Sequence, residues 1–128
     1  VTGAARGIGL AIAERLTKEG ATVVLADVLD REGKAAAKRL GGAYKHCDVA
    51  KAADARALVA FTVRKFGAVD ILVNNAAVSA NTDFLDVTEA EFDRVIGVNL
   101  KGSFLMLQAC AHCMTCRQTL LMKTLPTS

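Results

Sequence analysis

A chain of 128 residues, 52% hydrophobic and 23% charged, is long enough for one domain with a buried core and not for two. Its formal net charge of +3 comes from 16 Lys and Arg against 13 Asp and Glu, with no basic patch interleaved with aromatics, so nucleic acid is excluded as an expected partner. No apolar run approaches the roughly 18 residues of a membrane span, and four cysteines in a chain without other secreted character read as reduced thiols of a cytoplasmic protein.

The chain opens on VTGAARGIG. Val1 and Thr2 read as the end of a first strand, with the natural N-terminus expected upstream, and Gly3, Gly7 and Gly9 as a turn into a helix from about Ile8 to Glu19. ATVVLAD (21–27) is a β-branched second strand ending on an acid. Residues 30–40 form a second helix closed by Gly41 and Gly42, and AYKHCDV (43–49) is a third strand. Residues 51–66 make a third helix, with Ala53, Ala57, Ala60, Phe61 and Val63 along one broad side. VDILVNNA (69–76) is a fourth strand, apolar on both faces as a buried parallel strand must be. Thr88 with Glu91 has the pattern of a capping box for a long helix running to about Ala111 and bent near Gly97 and Asn99. Strands alternating with helices in this way predict an α/β fold with a parallel sheet.

A strand ending in TG, a glycine turn and a helix beginning at Ile8 together form an anion site. Free backbone N–H groups and the helix dipole at that end favour a pyrophosphate. Gly3 permits the turn, Gly7 the close approach of a ligand, and Gly9 the packing of helix on strand. Asp27 closes the next strand 18 residues after Gly9, where a carboxylate can take both ribose hydroxyls. A helix N-cap or a solvated turn is the alternative role for that acid.

TGAARGIG has the pattern TGxxxGxG and resembles the short-chain dehydrogenase/reductase family. CDV (47–49), NNAA (74–77) and VNLKG (98–102) follow in that family's order and spacing, so the resemblance covers residues 1 to about 111. It implies a Rossmann-like three-layer sandwich with strand order 3-2-1-4, its first strand clipped. Gly3, Arg6, Gly7, Ile8 and Gly9 would then line the pyrophosphate and adenosine ribose, and Asp27 would take the ribose hydroxyls, favouring NAD over NADP. Arg6 is the contrary sign, since a basic residue before the second glycine can favour NADP. Asp48 would bond the adenine amine, with Val49 against the ring. Asn74 would brace the sheet, and Asn75 and Ala76 would pass close to the second ribose. Ala77 stands where the family usually has Gly.

The chemistry so implied is hydride transfer between a nicotinamide and a carbinol or carbonyl carbon, which needs a Tyr, a Lys four residues later and a Ser. Asn99 matches the fourth catalytic member; the other three have no counterpart. Tyr44, the only tyrosine, is followed four residues on by Asp48 and reads as ordinary strand surface, and Lys101 as a solvated neighbour of Asn99. After Ala111 the composition changes, with no alanine, no acid and the single proline, Pro126. The expected organisation is therefore an NAD(P)-binding portion over 1–111 and an atypical tail over 112–128. Without a fifth strand, the apolar edge of the fourth would be a template for association. Cys110, Cys113 and Cys116, with His112, have the C-x2-C-x2-C spacing of some iron–sulfur ligands. The fourth cysteine and its proline are absent, so the cluster reads as a helical tail and no metal is expected. The functional expectation is an oxidoreductase of alcohols or ketones, incomplete as written and inactive alone, whose long last helix would make a homo-oligomer contact. The alternative is a non-catalytic dinucleotide-binding or subunit-interaction fragment.

Overall fold

The computed structural model describes residues 1–111 and 113. Helix α1 spans Gly7–Lys18, strand β1 Val24–Asp27, helix α2 Asp30–Leu40, strand β2 Ala43–His46, helix α3 Ala52–Phe66 and helix α4 Glu89–Ile96. A wide π turn over Gly97–Gly102 carries α4 into a further helical stretch, residues 103–111. Thr88 starts α4 by accepting the Glu91 N–H on its hydroxyl, as the capping pattern predicts. None of the helices described is long and apolar enough to cross a membrane.

β1 and β2 pair in parallel, Val24 opposite Ala43 through Asp27 opposite His46. On the other side of β1, Thr2 forms a single parallel bridge with Ala26. Ala26 N–H donates to Val1 O at 3.0 Å and Ala4 N–H to Ala26 O at 3.2 Å. Thr2 N–H in turn donates to Val73 O at 3.0 Å. The segments thus lie side by side in the expected sequence 3-2-1-4, but the regular ladder is confined to β1 and β2.

Residues 69–76, expected as a fourth strand, are not one. Thr2 N–H reaches Val73 O, but the Thr2 hydroxyl, rather than a backbone carbonyl, takes the N–H groups of Asn75 and Ala76, which interrupts a ladder. Farther back, Val23 and Val24 face Val69–Val73 across a cavity of ≈ 360 Å³ instead of across a ladder. The atypical tail expected over 112–128 lies, apart from Cys113, outside the described residues.

Alternation along residues 23–26 builds the layers. Val23 and Leu25 bury toward Ala13 of α1 and Ala36 and Ala37 of α2. Ala26 buries on the opposite face with Leu58 and Val59 of α3, Met106 and Cys110. Alanine at the contact positions of α1 and α2 lets those helices approach the sheet closely, which accounts for the alanine-rich composition. Met106 is fully buried and its neighbour Leu107 is exposed. Met106→Ala is expected to lower unfolding free energy in urea by about 2–5 kcal/mol. Leu107→Ala should change it by no more than about 0.5 kcal/mol.

Candidate functional site

At the ends of β1 and β2 nearest the glycine turn lies a cleft of ≈ 400 Å³. Its walls include Gly3, Arg6, Gly7, Asp27, Asp48, Val49, Asn75 and Ala76, so eight of the ten expected cofactor-binding residues meet in one place. The other two sit elsewhere: Ile8 points outward from the first turn of α1, and Gly9 is buried beneath the turn. Asn99 is not on the wall; its neighbour Val98 is.

The turn is built by close approach. Gly3 has φ +63, which a side chain would strain, and a Cβ there would meet Ala76 Cα at 2.8 Å. A Cβ on Gly9 would lie 2.1 Å from Gly3 O and 2.4 Å from Asn75 Nδ2. Asn75 locks this geometry by donating from Nδ2 to both Thr2 O (3.0 Å) and Gly3 O (3.1 Å). Asn74, expected to brace the sheet, donates to Ser103 O at 3.4 Å and so ties the segment to the last helical stretch. Gly7, in contrast, has nothing within 4 Å of a Cβ position. Its φ of +59 and the open space beside it leave the backbone at the start of α1 open to close approach.

Both Asp27 oxygens already hold backbone. Ala5 N–H donates to Oδ2 at 2.9 Å and Leu29 N–H to Oδ1 at 3.1 Å. Each oxygen keeps a lone pair for a ligand hydroxyl. Asp27 is thus a turn acid, not the N-cap of α2, and it also lines the cleft. Asp48 accepts from Ala50 N–H and pairs with Lys51 at 3.4 Å. Cys47 also lines the cleft, and burial, then the charges of Asp54 and Asp48, push its thiol up to about 11, so it is a neutral wall. The Asn99 amide is clamped onto Val78, accepting its N–H and donating to its carbonyl, each at 2.9 Å. Of the C-x2-C-x2-C set, Cys110 is buried and Cys113 partly so; Cys116 and His112 lie outside the described residues.

Tyr44 is not ordinary strand surface. Its hydroxyl lies 2.7 Å from Asp27 O and 2.7 Å from Asp30 Oδ1, and His46 Nδ1 reaches the same Asp30 oxygen at 2.8 Å. Its ring occupies the space where a Cβ of Gly33 would stand. A glycine inside an otherwise regular helix was the available signal, since it marks a place where something presses on the backbone. Burial, then the Asp30 carboxylate, raise the Tyr44 hydroxyl well above its ordinary value of 10. The folded state then holds this proton longer than the unfolded state does, so stability falls as pH rises above 10. With one tyrosine and no tryptophan, tyrosinate absorbance reads Tyr44 alone. At pH 11 the native chain should show little tyrosinate and the urea-unfolded chain should show mostly tyrosinate.

The sequence profile of the enoyl-(acyl carrier protein) reductase family matches residues 3–125. A short-chain dehydrogenase reductase of Arabidopsis thaliana is 41% identical over 103 residues, covering 80% of this chain and 38% of that protein. An alcohol dehydrogenase of the archaeon Thermococcus sibiricus, complexed with 5-hydroxy-NADP, superposes with TM-score 0.83 at 32% identity, over 89% of this chain and 51% of that one. A 3-ketoacyl-(acyl-carrier-protein) reductase of Brucella melitensis, complexed with NADH, gives TM-score 0.81 at 38% identity, over 84% of this chain and 45% of that one. The chain spans about half the length, or less, of these relatives.

Proposed function

The chain belongs to the short-chain dehydrogenase/reductase family, and we propose that its cleft binds NAD as the nucleotide-holding part of an oxidoreductase of small alcohols or carbonyl compounds. The observation that carries this is the convergence of the glycine turn, Asp27 and Asn75 on one wall. Structural neighbours complexed with NADH and with an NADP derivative support a nicotinamide dinucleotide as the ligand class. The choice of NAD rests on Asp27. Its carboxylate would accept both adenosine ribose hydroxyls and repel a 2′-phosphate. The α1 N-terminus at Gly7 would hold the pyrophosphate, Asp48 the adenine amine, and Val49 the ring face.

The bound nicotinamide would supply the hydride chemistry. The chain's own residues bind and orient it. No Tyr-x3-Lys pair occurs in the sequence. Tyr44 cannot replace it, because its single proton is shared between Asp27 O and Asp30 Oδ1 and its release is disfavoured by burial and the Asp30 carboxylate. These 128 residues alone should therefore bind cofactor without turning over simple alcohols, Asn99 being the one residue of their sequence that matches the family's catalytic set.

Titration of the full chain with each dinucleotide tests the binding. NAD should bind more tightly than NADP. Asp27→Asn should weaken NAD about tenfold or more, since a hydrogen bond to a charged group contributes about 1.5–3 kcal/mol, while NADP is unchanged or improved. Equal or tighter NADP binding by the unsubstituted chain would refute the assignment and favour Arg6 as the deciding residue.

A second reading, a subunit-interaction role, is favoured by an apolar stripe. Phe92, Ile96, Leu100, Phe104 and Leu107 are all exposed at spacings of four, four, four and three along residues 89–111. Such a face on a helix marks an association surface. Sedimentation over a dilution series should show self-association that Leu100→Glu shifts toward monomer; a wild-type chain that stays monomeric throughout removes this reading.

A further inference from the structure

The network around Tyr44 lies outside the cleft, yet it holds the residue on which dinucleotide choice depends. Tyr44 is in β2, opposite Leu25 of β1. Its ring presses on the backbone of Gly33 in α2, and its hydroxyl spans the Asp27 carbonyl and the Asp30 carboxylate. Asp27 and Asp30 bound the short turn from β1 into α2. The same turn is tied from the cleft side, where the Asp27 carboxylate holds Leu29 N–H and Ala5 N–H. His46 adds a second partner to Asp30 from the end of β2.

We propose that Tyr44 is a positioning residue for dinucleotide selectivity: by tying the Asp27 carbonyl to the first residue of α2, with Gly33 leaving room for its ring, it fixes the angle at which the Asp27 carboxylate meets a ribose. This rests on the nucleotide reading of the cleft. Without the hydroxyl, the Asp27 carbonyl keeps the Cys47 N–H at 3.0 Å and the carboxylate keeps the Ala5 and Leu29 N–H groups, but the Tyr44 tie between the Asp27 carbonyl and Asp30 is lost, and the 27–30 turn can shift the carboxylate against the ribose. The ligand that loses is the one needing that carboxylate in place, NAD. NADP, which the carboxylate repels, loses nothing.

The experiment measures dissociation constants of the full chain for NAD and NADP, together with thermal midpoints, for wild type, Tyr44→Phe and Gly33→Ala. Tyr44→Phe should weaken NAD about three- to tenfold, the range for loss of one neutral hydrogen bond, with NADP unchanged within about twofold. Gly33→Ala keeps the hydroxyl but puts a Cβ 2.1 Å from Tyr44 Cε2, so it must displace the ring. It should narrow selectivity in the same direction, although alanine is the better helix former. A merely structural role would weaken both dinucleotides together and lower the midpoint. That result, or unchanged selectivity in Tyr44→Phe, overturns the proposal while leaving NAD binding by the wild type intact. A wild-type chain that binds neither dinucleotide overturns the nucleotide reading and this proposal with it.

Discussion

The Thr2 hydroxyl is the point on which the site depends. Thr2 is the one buried polar residue among those described. Its Oγ1 donates to Val73 O at 3.3 Å and accepts N–H groups from Asn75 and Ala76, both at 3.1 Å. One donor and two lone pairs are thereby all used, which is the most a hydroxyl can do. Thr2 N–H holds Val73 O and Thr2 O holds the Asn75 amide, so every polar group of this residue joins the glycine turn to residues 73–76. A buried group left without its partner costs about 1–3 kcal/mol, and a side chain without the hydroxyl would leave two N–H groups in that state. The cleft has its shape because this seam holds its two walls together.

Much of this was legible from local pattern. TGAARGIG located the turn because each glycine answers a backbone requirement, and two of the three requirements are seen directly as clashes a Cβ would make. The strand–helix alternation placed α2 and α3 within one residue and β1 and β2 within three, since apolar period and glycine stops are properties of the segments themselves. The last long helix was expected to bend near Asn99, and the π turn over Gly97–Gly102 is that bend. Residues 69–76 failed as a strand because strand identity needs a neighbour. An apolar run marks a segment suited to burial but supplies no neighbour for a ladder, and here none of residues 69–76 is fully buried and Ile71 is exposed.

Tyr44 was illegible for a related reason. Its partners Asp27, Asp30 and Gly33 are distant along the chain and meet only when α2 folds back over β2. Asp48, in place of a lysine four residues on, tells against a catalytic role for Tyr44 but carries no sign of what its hydroxyl meets. Asp27 was legible because its position at a strand end carries meaning alone. The structure adds that its carboxylate is half committed to Ala5 and Leu29, so it is held in place before any ligand arrives. Preorganisation of this kind reduces the ordering cost of binding.

Arg6 and Asp27 share the cleft with opposite charge, and their surroundings separate them. The Glu32 carboxyl is held below its usual range by its own backbone N–H, then by Arg31, and more weakly by Arg6. Arg6 therefore already has a negative neighbour in α2, and as an exposed side chain it is also screened by solvent. Asp27 is half-buried and fixed by two backbone donors. A fixed charge acts on a ligand at full strength from one direction, whereas a long flexible one must be ordered first and loses side-chain entropy in doing so. Under the proposed nucleotide reading, an anchored carboxylate facing a mobile guanidinium would set the preference. The hydroxyl of Tyr44, acting from behind the turn, helps keep it anchored.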